Sequence, residues 1–242
     1  TTWVPNMMRY NMSVNKSDTV EFYFDIHELP DFRGQGMTYE LYLPVYNGVK
    51  WLAVGTDASA SLRFVEGSQE RPIVVYGTSI AHGASASRPG LIWSTRLKRR
   101  YECPVVNLGF SGSGKMEHVM FDALAEIDAR AYIIDCVPNC AALTCQEFEE
   151  RLRYGIDRLR KAGKAPIIFA ENQFIDHPSA LVHSAGYRGQ MEKDSVQQQV
   201  VKELQAKGVE GLYYVTRADL GFEADDFIEG DHLNDIGMLK YE

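Results

Sequence analysis

The feature that most constrains the fold is an alternation of short apolar runs with amphipathic helical stripes in the second part of the chain. Apolar runs of strand length lie at 73–76, 105–108, 131–134, 167–170 and 212–215. Apolar stripes with helical spacing are formed by Met116, Val119, Met120, Ala123, Leu124 and Ile127, by Phe148, Leu152, Ile156 and Leu159, and by Val196, Val200 and Leu204. This pattern predicts an α/β fold with a doubly wound, mainly parallel five-stranded sheet. Functional residues of such a sheet lie beyond the C-terminal ends of its strands.

The first part of the chain has a different pattern, in which apolar and polar residues alternate. The alternation is carried by Val20, Phe22, Phe24 and Ile26, and again by Tyr39, Leu41, Leu43 and Val45. Shorter apolar stretches at 51–54 and 62–65 follow turn residues such as Asn47-Gly48. We therefore expect a small, β-sandwich-like all-β module over residues 1–70, preceding a second domain over residues 71–242.

The charge and the apolar content limit the partners of the protein. The 242 residues carry a formal net charge of -8, and the isoelectric point is near 5.3. Nucleic-acid binding requires a positive field, so we expect no nucleic-acid partner. No apolar run approaches the length of a membrane span, so we expect none. The composition leaves the oligomeric state open.

The four cysteines do not indicate a metal site. Cys103, Cys136, Cys140 and Cys145 lack the paired spacing of zinc ligands, so we expect buried or free thiols and no metal.

The chain begins at Thr1 without an initiator Met, and we expect an exported protein whose leader has been removed. A cytoplasmic protein is the alternative. Export would permit a short bridge between Cys140 and Cys145.

The turn after the first run of the sheet is the first candidate for chemistry. It reads Gly77-Thr78-Ser79-Ile80-Ala81-His82-Gly83, with a serine where strand changes to helix. Such a turn presents a hydroxyl to solvent and a backbone N–H to an anion. The spacing differs from G-x-S-x-G, because Gly83 falls two positions late. On this turn alone, a nucleophilic Ser79 and a Ser79 that caps the next helix are equally consistent with the sequence.

The loop after the second run is rich in glycine and supports two interpretations. It reads Asn107-Leu108-Gly109-Phe110-Ser111-Gly112-Ser113-Gly114-Lys115. Its backbone amides could approach an oxyanion closely. Alternatively, Gly109, Gly114 and Lys115 match the phosphate-binding pattern G-x-x-x-x-G-K, which predicts a nucleotide-binding protein. That pattern continues with Ser or Thr, and this chain has Met116 instead.

Two further loops carry polar side chains at the same edge of the predicted sheet. Asn139 follows the third run within Asp135-Cys136-Val137-Pro138-Asn139, where it either donates to an oxyanion or completes a turn. His232 precedes the last helix, and Glu229 stands three residues before it. That spacing lets a carboxylate reach Nδ1 of the imidazole, so that Nε2 faces a serine.

The order Ser79, Gly112, Asn139, His232 resembles the SGNH (GDSL-type) hydrolase family over residues 72–237. The resemblance implies a flavodoxin-like sheet and a serine esterase that needs no cofactor. By position, it implies that Ser79 is the nucleophile, His232 the base and Glu229 the acid. It also implies an oxyanion hole formed by the amides of Ser79 and Gly112 with the side chain of Asn139. The sequence around 77–90 and 46–50 is similar to a subgroup with a β-sandwich module ahead of the hydrolase.

Three positions depart from the pattern of the family. Thr78 and Cys140 stand where aspartates are usual, and Glu229 replaces an aspartate as the acid. The longer side chain of Glu229 must fold back to reach the imidazole, which makes Asp231 a rival acid. We favour Glu229 because its position three residues before the histidine matches the geometry of the triad.

The resemblance implies a small-molecule or glycan ester as substrate, with an acetyl group on a carbohydrate as the first to test. His82 is too close to Ser79 in sequence to be the preferred base. His82, His177 and His183 are candidates for substrate binding. A catalytically inactive, carbohydrate-binding protein is the remaining alternative.

Overall fold

We analysed a computed structural model, which describes residues 38–174 and 185–242 and the backbone of two short strands, β1 (Met8–Arg9) and β2 (Tyr23–Phe24). The chain divides into two compact units, Thr1–Leu41 and Tyr42–Glu242. In the first unit, β1 and β2 pair in antiparallel orientation, with Met8 opposite Phe24 and Arg9 opposite Tyr23.

The second unit is built on a five-stranded sheet in which all neighbouring strands are parallel. This confirms the predicted α/β fold and its five strands. The order of the strands is β4-β3-β5-β6-β7, the order of flavodoxin-like sheets. The strands are β3 (Ile73–Gly77), β4 (Val105–Gly109), β5 (Ala131–Asp135), β6 (Ile167–Ala170) and β7 (Leu212–Val215).

Helices cover both faces of the sheet, because apolar side chains point alternately to its two sides. One face packs against a large core that includes Tyr76, Phe121, Phe148 and Phe169, and the other against a smaller core around Trp93. The helices are α1 (Ser79–His82), α2 (Trp93–Tyr101), α3 (His118–Leu124), α4 (Cys145–Ala162), α5 (Ala185–Ala206), α6 (Arg217–Leu220) and α7 (Asp235–Tyr241), with 3-10 turns at Pro89–Leu91, Val137–Cys140 and Ala224–Asp226. No helix of the described chain is long and apolar enough to cross a membrane.

The predicted all-β module is not supported by the residues that the structure describes. Residues 38–72 form no strand, and their apolar side chains are largely exposed, as at Leu43, Trp51 and Phe64. An alternating segment becomes a strand only where a neighbouring strand completes its backbone hydrogen bonds, and the described chain provides none here. The predicted strand around Val20 to Ile26 lies outside the described residues, apart from β2.

The topology places one site at the middle of the sheet. From β3 the chain crosses to β4 on one side, and β5 lies on the other side of β3. Loops that leave the C-terminal ends of such neighbouring strands diverge and open a crevice between them. Ser79 follows β3, the loop with Gly112 follows β4, and Asn139 follows β5, so all three lie at this crevice.

Candidate active site

Ser79 is the first residue of α1, and its side chain is not the cap of this helix. The cap is Thr78, whose buried hydroxyl accepts a hydrogen bond from the amide of Ile80 at 3.3 Å. The Ser79 hydroxyl is therefore left for another partner. The short helix ends at Gly83, which has a φ of 100° and lies so close to Ile92 that a Cβ would clash.

The partner of Ser79 is His232, whose Nε2 lies 2.8 Å from the Ser79 Oγ. The segment that carries His232 is held from both sides. Ile228 N donates to the His232 carbonyl at 2.9 Å, and the next residue, Leu233, is fully buried. Asn234 then caps α7 by accepting from the amides of Ile236 and Gly237. The imidazole is thus presented by a braced loop.

Two carboxylates approach the opposite nitrogen of the His232 ring. Nδ1 donates to Glu229 Oε1 in a short hydrogen bond, and Asp231 Oδ1 lies 3.1 Å from the same nitrogen. Asp231 and Glu229 together raise the pKa of His232 to about 9, against the opposing effect of burial. The Glu229 side chain is 60% exposed and that of Asp231 36%. Both predicted acids are therefore placed at the ring.

Three N–H groups lie on the loops that follow β3, β4 and β5. The amide of Ser79 is at the start of α1, where helical N–H groups lack partners within the helix. Gly112 is the third residue of a turn closed by a hydrogen bond from Ser113 N to Phe110 O at 3.0 Å, and its φ of 71° suits glycine there. Neither amide donates to any described residue. Asn139 Nδ2 donates to Phe110 O at 3.4 Å, and this bond joins the loop after β5 to the loop after β4.

Two glycines of the β4 loop are required by contacts between backbones. A Cβ at Gly109 would lie 2.2 Å from His82 N, and one at Gly114 would lie 2.1 Å from Gly77 O. In a phosphate-binding loop the lysine instead leads directly into a helix. Here Met116 has a φ of 55°, and α3 begins only at His118. The geometry does not favour the nucleotide-binding interpretation.

The three other candidate histidines are His82, His177 and His183. His82 Nε2 lies 3.0 Å from the Val45 carbonyl oxygen, and its ring packs on Tyr46 at a centroid distance of 4.4 Å. These contacts account for His82 without a substrate. His177 and His183 lie outside the described residues.

Sequence reasoning missed Glu117, which braces the loop containing Gly112. Its carboxylate accepts a hydrogen bond from Lys115 N at 2.8 Å and a short one from the hydroxyl of Tyr76. Burial raises the pKa of Glu117, but these two hydrogen bonds outweigh it and lower the pKa overall. The signal was weak, because Tyr76 reads as one more apolar residue of a strand.

The described residues offer one group with metal-ligand spacing, and it is the histidine site itself. Ligand atoms of Glu229, Asp231 and His232 lie within 4.8 Å of one another. The two carboxylates already converge on Nδ1, so a cation there would compete with the hydrogen bond that orients the ring. The four cysteines are free thiols, with Cys140 buried and Cys145 exposed.

A serine within hydrogen-bonding distance of a histidine at the crevice of a flavodoxin-like sheet is an arrangement typical of α/β hydrolytic enzymes. Within that class, the chain belongs to the GDSL-like lipase/acylhydrolase family, whose model matches residues 70–242. No curated protein sequence is similar to this chain.

Several solved structures share the fold of this chain. A protein of Bacteroides ovatus described as a GDSL-like lipase is 33% identical, with a TM-score of 0.66, over 76% of this chain and 54% of its own. This chain thus spans about half of that protein. Est24, a carbohydrate acetylesterase of Sinorhizobium meliloti, is 14% identical with a TM-score of 0.53, over 71% of this chain and 94% of its own. The aryl esterase of M. smegmatis is 12% identical with a TM-score of 0.54, over the same shares.

Proposed function

We propose that the protein is a serine esterase with Ser79 as nucleophile and His232 as general base. The observation that carries the proposal is the 2.8 Å separation of Ser79 Oγ and His232 Nε2, which suits direct proton transfer. His232 takes the hydroxyl proton as Ser79 Oγ bonds to the ester carbonyl carbon. The alcohol then leaves with that proton, and water repeats both steps to release the acid and restore Ser79. No cofactor takes part.

The oxyanion of the tetrahedral intermediate is held by the amides of Ser79 and Gly112 and by Asn139 Nδ2. The absence of described partners for the two amides supports this role, since such donors are available to a substrate. The second N–H of the Asn139 side chain supplements them, because its amide nitrogen carries two hydrogens and Phe110 O accepts one.

Glu229 is the acid that orients His232 in this proposal. Its hydrogen bond to Nδ1 holds the tautomer in which Nε2 is unprotonated and faces Ser79. Asp231 contributes charge from 3.1 Å and stabilises the imidazolium formed during the reaction. The carboxylates therefore have separate tasks, one in orientation and one in electrostatics.

The substrate that we propose carries a small acyl group, with an acetylated carbohydrate as the first choice. The fold is shared with Est24, which is described as a carbohydrate acetylesterase. A screen of acetylated sugars against short and long acyl esters tests this choice. Faster hydrolysis of long acyl chains than of acetates would reject it.

A fluorophosphonate probe and 4-nitrophenyl acetate test the mechanism. The wild type should be labelled and should turn over, and Ser79→Ala should do neither. The matched control is Ser195→Ala, which removes an exposed hydroxyl whose partner among the described residues is Met191 O of the same helix. Equal labelling or turnover by wild type and Ser79→Ala would exclude the mechanism. An unreactive wild type would favour the inactive, carbohydrate-binding alternative.

A further inference from the structure

The turn that carries Asn139 lacks the aspartate that usually follows this asparagine in the family, and the hydrogen bonds that shape it are local. Asn139 N donates to Cys136 O at 3.2 Å, and the buried Cys140 Sγ donates to the same oxygen at 3.2 Å. These bonds shape the Val137–Cys140 turn. They do not attach it to the helices around it.

Helix α5 provides that attachment, because it touches the turn with its backbone and with one side chain. Gly189 approaches so closely that a Cβ there would lie 2.5 Å from the Ala141 carbonyl oxygen. The next residue, Gln190, donates from Nε2 to the Pro138 carbonyl oxygen at 3.1 Å. Pro138 directly precedes Asn139, so this bond holds the peptide from which the Asn139 side chain projects.

Gln190 is itself fixed by a chain of buried polar groups. Its Oε1 accepts a hydrogen bond from the side chain of Asn172, Nδ2, at 3.1 Å. The backbone N–H of Asn172 donates to Asp194 Oδ1 at 2.9 Å. Asn172 and Asp194 are buried. The direction of the chain is determined, because the Pro138 carbonyl can only accept and Gln190 must present its nitrogen to it. Gln190 must then present its oxygen to Asn172.

We propose that Gln190 is a positioning residue for the Asn139 amide in the oxyanion hole, and that it acts through the Pro138 carbonyl. The inference rests on the proposed function, because it concerns the stabilisation of the oxyanion. Among the described residues, the hydrogen-bond partner of Asn139 Nδ2 is Phe110 O, at a long 3.4 Å, which leaves the orientation of the side chain to the position of the turn. An oxyanion donor that is misplaced loses much of its effect on the transition state.

The contacts of Gln190 favour positioning over a contribution to stability alone. Both ends of its side-chain amide bond to groups outside α5, one on the Asn139 turn and one on the segment after β6. The packing of Gly189 on Ala141 joins helix and turn whatever residue stands at 190. Loss of the Gln190 bond should therefore let the turn shift within an intact fold.

The test combines steady-state kinetics of 4-nitrophenyl acetate hydrolysis with a double-mutant cycle. Gln190→Met keeps the length of the side chain but removes both bonds, and Gln190→Glu removes the donor to Pro138 O. Asn139→Ala should lower kcat by about 10²-fold to 10³-fold. We expect each Gln190 variant to lower kcat by about tenfold and to leave KM nearly unchanged. This loss is smaller than that of Asn139→Ala, because the donor is misplaced and not removed. The control is Gln199→Met, at an exposed position of the same helix.

The cycle separates positioning from a structural role. In the Asn139→Ala background, Gln190→Met should cause no further loss of kcat, since the group that it positions is gone. A further loss equal to that in the wild type would overturn the inference, as would an unchanged kcat in both single variants. Failure of both Gln190 variants to fold, with Gln199→Met folded, would assign Gln190 to structure and also overturn it. If wild type and Asn139→Ala were equally active, the oxyanion hole of the proposed function would fail instead.

Discussion

The Ser79 Oγ lies 2.8 Å from the Nε2 of His232, although 153 residues separate the two in the chain. On the other side of the ring, Asp231 and Glu229 raise the pKa of His232 to about 9. In the proposed mechanism only the neutral imidazole takes the proton of the serine, so these carboxylates would also set the pH at which the site is active.

The first prediction is that the esterase activity rises with pH through the neutral range. A raised pKa leaves the imidazole protonated at pH 7, and its neutral fraction grows about tenfold per pH unit until it levels off near pH 9. The measurement is kcat/KM for an uncharged ester between pH 6 and 10, corrected for spontaneous hydrolysis. A profile that is flat from pH 7 to 9 contradicts the prediction.

The second prediction separates the two acids. Glu229→Gln should lower kcat on the order of 10²-fold, less than the about 10⁴-fold loss known for a triad aspartate, because Asp231 still lies 3.1 Å from Nδ1. Asp231→Asn should lower kcat less and move the pH profile towards lower pH, since it removes one charge that raises the pKa of His232. The two variants are compared across the same pH range. A greater loss of kcat in Asp231→Asn would make Asp231 the acid.

The sheet could be predicted from the sequence because buried parallel strands read as short apolar runs. The run at 73–76 became β3, with Gly77 added at its end. Helix α5 was harder to predict. Its apolar residues Val196, Val200 and Leu204 mark only the second half, whereas the first half buries Lys193 and also Gly189, which packs on Ala141. Buried glycine and lysine residues do not add to a hydrophobic periodicity, so the sequence does not show that this half of the helix is buried.

The sequence places the candidate site residues at one edge of the sheet, but it does not reveal the contacts that brace them. Ser79, Gly112, Asn139 and His232 follow strand ends or precede a helix, which are positions that local sequence reveals. The bond between Glu117 and Tyr76 depends on contacts across 41 residues. The alternation at 39–45 failed as a strand signal for a similar reason, because strand formation depends on a neighbour that the local pattern does not reveal.

The third prediction concerns stability and Asp135, which ends β5 and is fully buried. Burial raises its pKa to about 7, and neither carboxylate oxygen has a hydrogen-bond partner among the described residues. The unfolded carboxyl ionises near pH 4 and the folded one near pH 7, so the contribution of Asp135 to the free energy of unfolding should fall as pH rises between these values and stay constant above. One pKa unit corresponds to about 1.4 kcal/mol, so the effect amounts to a few kcal/mol.

Asp135→Asn removes this titration and should flatten the dependence. The free energy of unfolding, measured in urea at pH 5 and pH 8, should differ less in the variant than in the wild type. Asp128→Asn is the control, since the Asp128 side chain is 83% exposed. If Asp135→Asn kept the wild-type difference, another group would be responsible for it.

The fourth prediction tests why the loop after β4 is rich in glycine. In Gly114→Ala, the new Cβ would lie 2.1 Å from Gly77 O, and the backbone that leads into Ser79 would have to move. We expect a loss of stability of about 1 to 3 kcal/mol, as for other overpacked positions, and slower labelling of Ser79 by a fluorophosphonate. Gly67→Ala is the control, because nothing lies within 4 Å of a Cβ there. The nucleotide-binding interpretation of this loop predicts a different result. ATP would then raise the melting temperature of the wild type but not of Gly114→Ala, and the variant would keep wild-type stability and labelling.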